Sequence, residues 1–506
     1  MTFATLTSSP HDRELAAHVH PPDWRNPEPL AKYQLVVIGA GTAGLVTAAG
    51  ATGLGAKVAL VERALMGGDC LNFGCVPSKA VIASARAAAA VRRAGELGVS
   101  VRGELAVDFA GVMERMRRLR AGIAVHDGAR RFSDLGIDVF LGEARFASPS
   151  EIEVGGARLR FARAVVATGG RAFVPPIPGL VEAGHRTNET IFNLIELPRR
   201  LAVIGGGPIG CELAQAFARL GSHVTIVQNH AQFLPREDRE AAELLHRTFV
   251  AEGIAVRLEA TIERVERRGT DKLLHLTRNG SRETVTADEI LVAAGRRPNV
   301  EGLGLEAAGV AFGPAGVEVD DRLRTTNRRV FAAGDVASRY QFTHLADAAA
   351  RIVIQNALFP VKRRVSALTL PWCTYTDPEI AHVGLSEAEA RERGIAAEEV
   401  TVPFADVDRA RLTGETEGFV RLLVHAKKGR ILGATIAGAH AGELISEVSV
   451  AMAGGVTLGA LAGVIHPYPT LAEALRKAGD AWNRRRLTPR ARRLIEWYLA
   501  LRFGDR

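Results

Sequence analysis

Four cysteines in 506 residues are too few for a secreted scaffold held by disulfides. No run of 18 consecutive apolar residues occurs, so the sequence predicts no membrane-spanning helix. The first 32 residues are polar, carry prolines and histidines, and lack the apolar core of a signal peptide. In a reducing compartment a close cysteine pair is more often catalytic or metal-binding than structural, and a cytoplasmic location is expected. Aromatic residues make up only 6% of the chain, with no zinc-type cysteine spacing and no RNA-binding aromatic signature. Nucleic acid and membrane are therefore not expected as partners, despite a net charge of +8. Much of that surplus lies in "RKAGDAWNRRRLTPRARR" (476–493). The tail is expected to be a solvated amphipathic helix with Leu494, Ile495, Trp497 and Leu501 packed inward.

What the sequence does contain is an internal repeat. Residues 35–63, "LVVIGAGTAGLVTAAGATGLGAKVALVER", align without a gap to residues 201–229, "LAVIGGGPIGCELAQAFARLGSHVTIVQN". Each copy reads as a buried strand, a G-x-G-x-x-G turn, an Ala-rich helix and a second strand, which predicts two Rossmann-type nucleotide sites. Gly39 and Gly205 allow the tight bend. Gly41 and Gly207 let the backbone approach a pyrophosphate, and Gly44 and Gly210 let the helix press onto the strand. At the end of the second strand the copies diverge. Glu62 is placed to accept hydrogen bonds from ribose hydroxyls, whereas Gln228, followed by Asn229 and His230, lacks the acid that repels a 2′-phosphate. NADPH is expected at the second site, with NADH as the alternative, and His230 and Arg236 are candidate positive charges.

"RAVVATGGRAFVPPIPG" (163–179) and "EILVAAGRRPNV" (289–300) read as strands crossing between the two nucleotide domains. "TTNRRVFAAGDVA" (325–337) is a strand leading to Gly334 and Asp335, an acid at a strand's carboxyl end, where ligands bind in open α/β sheets. From about residue 366 short β-rich runs alternate with helices, an α+β texture without a third nucleotide turn.

"GGDCLNFGCVPSK" (67–79) sets Cys70 and Cys75 five positions apart. A disulfide needs Cα atoms roughly 4.4–6.8 Å apart. Five residues of strand span about 16 Å, and five of regular helix rise about 7.5 Å with the side chains some 140° apart. Only a distorted turn brings the pair together, and Gly74 permits one. If Val76-Pro77 opens a helix, Cys75 sits at its positive end, where a thiolate is favoured. A zinc site needs more ligands than this stretch supplies, and two unrelated buried cysteines remain a further alternative. Cys211 and Cys373 read as small core residues, one on the second Rossmann helix and one on a strand. A redox pair beside two dinucleotide sites suggests a flavin on the first and a nicotinamide on the second, with electrons passing from nicotinamide through flavin to the disulfide.

With these motifs in place the sequence resembles the class I pyridine nucleotide-disulfide oxidoreductases, which include dihydrolipoyl dehydrogenase, glutathione reductase and mercuric reductase. The likeness covers roughly 33–480 and is carried by "GAGTAG", "GGDCLNFGCVPSK", "ATGG", "GGGPIG", "AAGRRPN", "AAGD" and "FADV…GFVRLL…ILGA". It implies an α/β chain with two Rossmann-type domains and a C-terminal α+β dimerisation domain. The segments are an extension at 1–32, an FAD-binding domain at 33–182 and 295–365, an NAD(P)-binding domain at 183–294, a dimerisation domain at 366–480 and a basic tail at 481–506. By this resemblance Cys75 is the thiol in contact with the flavin, Cys70 the interchange thiol, and Lys79 with Glu212 an ion pair beside the flavin. Gly39, Gly41, Gly44, Glu62, Ala144, Thr168, Gly169, Gly334 and Asp335 would hold FAD. Gly205, Gly207, Gly210, Gln228 and Gly295 would hold the nicotinamide nucleotide. The chain would be a homodimer whose active sites borrow residues from the other subunit.

One position departs from the dithiol-processing members, which carry a His immediately before Pro-Thr and a Glu five residues after that His. In "HPYPTLAEA" (466–474) that place is taken by Tyr468, with Glu473 at the matching spacing and His466 displaced by two; Tyr468 and Glu473 join Cys70, Cys75, Lys79 and Glu212 as the candidate catalytic residues. A tyrosine is a poor base at neutral pH. Mercuric reductase is similar in having Tyr there, but it also carries a C-terminal cysteine pair, and this chain has no cysteine after Cys373. No structural metal is expected, and Cys70 and Cys75 are the candidate transient Hg(II) ligands. The expected activity is mercuric-reductase-like transfer of electrons from NAD(P)H to Hg(II) or another soft-metal or thiol-reactive acceptor. A dihydrolipoyl dehydrogenase and a non-catalytic flavin-binding interaction protein are the alternatives.

Overall fold

A computed structural model of the chain describes residues 6–503. They form two compact units, one of residues up to 233 together with 249–368, the other of 234–248 together with the chain from 369 onward. Among the described residues no helix is long and apolar enough to cross a membrane.

The first unit opens with helix α1 (Pro10–Val19), capped by the Ser9 side chain. Strand β1 (Tyr33–Ile38), helix α2 (Thr42–Gly53) and strand β2 (Val58–Glu62) then form the first copy of the repeat. After a short link come α3 (Gly68–Asn72), α4 (Cys75–Arg93) and α5 (Phe109–Ala124), followed by strands β3 (Asp138–Leu141), β4 (Ala144–Ser148), β5 (Glu151–Val154) and β6 (Ala157–Val166). The sheet runs β3-β2-β1-β6-β5-β4 and is parallel from β3 to β6. Its central parallel strands are strongly apolar because both faces are covered. Leu35, Val37, Leu60 and Val165 enter one core, while Val36, Ile38, Val61 and Val166 enter the other.

The second copy repeats this plan with β7 (Arg200–Ile204), α6 (Pro208–Leu220) and β8 (His223–Val227). Its four-stranded parallel sheet adds β9 (Ala255–Arg257) on one side and β10 (Glu289–Val292) on the other. Cys211 is fully buried on α6, in keeping with a small core residue. Strand β11 (Val330–Ala332) returns to the first sheet beside β6, and α7 (Thr343–Leu358) packs on α2.

The second unit centres on a five-stranded antiparallel sheet that includes Pro371–Thr374, on which Cys373 is half-buried, and ends with α8 (Glu473–Arg485) and α9 (Pro489–Phe503). Helix α9 corrects one expectation. Leu494, Ile495, Trp497 and Leu501 do not pack inward; they are 65%, 46%, 61% and 72% exposed, and no residue of this helix is buried. In "LIEWYLALRF" (494–503) apolar residues occur all round the helix, so no single stripe exists to dock on a core.

Candidate active site

Each glycine turn is closed by contacts too tight for any side chain. A Cβ on Gly44 would stand 1.7 Å from the Gly39 carbonyl oxygen, and one on Gly210 would stand 2.0 Å from that of Gly205. In both copies the chain returning on the neighbouring strand packs against the bend. The Ala167 carbonyl oxygen lies 2.4 Å from a Cβ built on Gly39, and the Ala293 carbonyl oxygen lies 2.4 Å from one built on Gly205. This brings Thr168 and Gly169 to the first turn and Gly295 to the second. Gly334 lies against Ala43, which places Asp335 at the start of α2.

Gly41 and Gly207 are the N-caps of α2 and α6, and neither helix has a side-chain cap. The free amides of the first turn of each helix, which in α6 begin after Pro208, are therefore available to an anion, and the space a Cβ of Gly207 would occupy has no neighbour within 4 Å. These cradles fit a dinucleotide pyrophosphate. Glu62 is buried and accepts the amides of Ala40 (2.7 Å) and Ala64 (2.8 Å), one at each oxygen. Burial raises its pKa. Gln228 is buried against Gly206 of the second turn, whereas His230 is exposed. Ala144, two residues beyond the Gly142 amide that binds the Glu62 carbonyl, is buried at the head of β4.

The thiol pair stands between these elements. Gly74, the N-cap of α4, needs its bare Cα because a Cβ there would meet the Asp69 carbonyl at 2.9 Å and the Cys70 Cα at 3.3 Å. That turn brings two free thiols into hydrogen-bonding reach of one another, with Cys75 the first residue of α4. Cys75 falls to about 6 chiefly because Cys70 donates a hydrogen bond to it. The Thr343 hydroxyl, 3.3 Å from its sulfur, and the Lys79 charge assist against partial burial. Cys70 moves the other way, pushed up by that same hydrogen bond, by burial and by the neighbouring thiolate. The shifts run in opposite directions, so the negative charge of the singly deprotonated pair is favoured on Cys75 rather than on Cys70.

Lys79, one turn along α4, holds Glu212 of α6 at 2.7 Å, and the carboxylate is buried. Four further residues surround the pair without having drawn a role from the sequence. Arg296 lies 3.2 Å from Asp69 and 3.3 Å from Asp335, tying the residue before Cys70 to the acid after β11. The Asn188 amide donates to Asp69 at 2.9 Å. Arg296 and Asp69 sit inside the motifs "AAGRRPN" and "GGDCLNFGCVPSK", which is a signal that could have found both; Asn188 and Thr343 carry no comparable signal of partnership.

Tyr468, Glu473 and His466 belong to the second unit. Tyr468 is 71% exposed and donates its hydroxyl to Asp408 at 3.2 Å, which raises its pKa further. Glu473 is buried and turned to Arg476 at 2.8 Å, with no hydrogen bond to Tyr468. His466 has both ring nitrogens engaged, one with the Val464 carbonyl (3.0 Å) and one with Glu447 (2.8 Å).

The pyridine nucleotide-disulphide oxidoreductase family matches residues 33–350, and its dimerisation domain matches 370–479. The chain belongs to that family. Mercuric reductase of Streptomyces lividans is 36% identical over 457 residues, 89% of this chain and 96% of that protein. Dihydrolipoyl dehydrogenase of Thermus scotoductus is 36% identical over 462 residues, 90% and 98%. Among solved structures, the HOCl-induced flavoprotein disulfide reductase RclA from Escherichia coli is 32% identical with a TM-score of 0.79, covering 88% of this chain and 99% of that one. The two-turn architecture and the cysteine-bearing helix accordingly belong to an FAD-dependent oxidoreductase family that uses pyridine nucleotide.

Proposed function

We propose that this protein is an NAD(P)H-dependent flavoprotein disulfide oxidoreductase of the mercuric-reductase-like type, acting through Cys70 and Cys75 on Hg(II), another soft metal ion or a small thiol-reactive acceptor. The observation that carries the reading is the hydrogen-bonded pair, a Cys75 thiolate accepting from a Cys70 thiol, because soft thiolates bind soft metal ions. Among the described residues no cluster of three or more His, Cys, Asp or Glu is placed to hold a metal, and these two sulfurs are the soft ligands proposed for the acceptor. Bound FAD and NADPH, or NADH, would supply two-electron reduction to the pair. The residues assigned to FAD are those around the first turn, and those assigned to the nicotinamide nucleotide surround the second. Lys79 holds Glu212 in place and favours the thiolate. Tyr468 receives no general-base role, since Asp408 makes its phenolate still scarcer near neutrality. The match to the dimerisation domain supports a homodimer, and the sparse cysteines support the cytoplasm.

The dihydrolipoyl dehydrogenases, which are as similar as the mercuric reductases, favour a second reading. Steady-state oxidation of NADPH and NADH with Hg(II), other soft metal ions, and lipoamide separates the two. Metal-dependent turnover lost in Cys75→Ser is the expected result. Rapid lipoamide turnover without metal-dependent activity above the oxygen background would replace the first reading with the second.

A further inference from the structure

The segment before residue 33 lies outside the family match, yet it grips the cysteine loop at three places. Val19 accepts the Met66 amide at 3.1 Å, and the His20 ring hydrogen-bonds the Ala64 carbonyl. The third contact is a buried relay. Asp12 and Arg120 are both fully shielded from solvent at their side chains and pair at 2.6 Å. The other guanidinium arm donates to the Asn72 carbonyl at 2.7 Å. Asn72 in turn donates from its side chain to the Met66 carbonyl (3.0 Å) and the Gly68 carbonyl (2.8 Å), so one amide ties together both ends of the segment that carries Cys70. Asp12 is itself fixed from its own side, accepting the Thr7 amide at 2.8 Å and hydroxyl at 2.6 Å.

We propose that Asp12 is a positioning residue for the thiol pair: acting through Arg120 on the Asn72 carbonyl, it holds the Cys70 segment within reach of Cys75 and sets the balance between disulfide and dithiol. The proposal rests on reading Cys70 and Cys75 as a redox pair. The physical basis is effective concentration. Closing the disulfide is an intramolecular step, favoured in proportion to how firmly Cys70 is held near Cys75. A buried ion pair is costly to assemble but directional, and removing one partner leaves a charge stranded, so Arg120 keeps its aim only while Asp12 is present. Releasing the carbonyl loosens the segment and makes the disulfide easier to reduce.

The test is equilibration of the full-length, FAD-loaded protein with mixtures of reduced and oxidised dithiothreitol, followed by thiol trapping. The S–S bond between Cys70 and Cys75 breaks as one forms in dithiothreitol; two electrons and one proton pass to the protein pair, and the second proton goes to solvent while Cys75 stays a thiolate. Asp12→Asn is expected to move the equilibrium several-fold toward the dithiol with flavin content retained, and Asp12→Glu to recover most of the wild-type balance. The double variant Asp12→Asn/Arg120→Met, which removes both members of the 2.6 Å pair and leaves Arg117, 3.9 Å from Asp12, with its partner Glu114, is expected to show the same shift. An unchanged or opposite equilibrium in any folded Asn variant overturns the proposal. Failure of both Asn variants to fold also overturns it, by assigning the pair to stability alone. A wild-type protein in which the two cysteines never interconvert with a disulfide would instead remove the redox reading on which the proposal stands.

Discussion

The two nucleotide turns are nearly the same object, built twice and used differently. Their steric locks agree closely, and each bend is backed by a carbonyl oxygen 2.4 Å from where a Cβ would stand, Ala167 in one case and Ala293 in the other. Beyond the turns the two copies diverge. In the first, Glu62 takes two backbone amides and the chain runs directly into the cysteine loop, with Gly68 lying against Gly41. In the second, a neutral Gln228 sits beside Gly206, which is packed by Phe233. Steric requirements fix the turn; the residues after the second strand decide its chemistry. A duplicated turn therefore reports the class of ligand, and the divergent strand end reports which member of that class.

The largest test of this comparison is to fill each lock. Gly44→Ala should cost the protein its bound flavin, whereas Gly210→Ala should keep the flavin and lose its reduction by NAD(P)H; flavin content and anaerobic reduction measure both. The reverse pattern would exchange the two assignments. Next comes the bridge from the cysteine-bearing helix α4 to the second copy, Lys79 to Glu212. In the reduced protein, alkylation of Cys75 should be level above pH about 6 and fall about tenfold per unit below it, as the thiolate is protonated. Lys79→Met should move that midpoint up and Glu212→Gln should move it down, because the two charges act on the thiolate with opposite sign. A profile that neither variant moves would detach the bridge from the thiols. Glu62→Gln comes third. A glutamine has one acceptor oxygen for two amides, so flavin affinity should drop by about tenfold, corresponding to roughly one unsatisfied buried amide. Smallest is Gln228→Glu, expected to shift the kcat/KM ratio several-fold toward NADH; a ratio unmoved by the added acid would place nucleotide choice elsewhere.

The parts that can be read from the sequence are those whose causes are local. The two turns are legible because G-x-G-x-x-G is a steric requirement met within six residues, and Gly74 is legible because a five-residue cysteine spacing needs a distorted turn. The tail is not, since a run of apolar residues in a helix does not say that they share one face. Arg296 stays hidden inside a legible motif, because its partners Asp69 and Asp335 are distant in sequence and nothing in "RRPN" specifies a direction. Asp12 and Arg120 are invisible for the same reason, and a buried ion pair looks like two ordinary surface charges until both are seen without solvent.

By itself the sequence determined that the chain makes two nucleotide turns and sets two cysteines on either side of a glycine bend, because bond geometry and steric contact over a few residues allow little else. Tertiary structure supplied the surroundings of the thiolate that a helix start at Cys75 already favours. Thr343 meets Cys75 across 268 residues, and Lys79 meets Glu212 across 133. An electrostatic environment depends on distance in space, and only the folded chain supplies that distance.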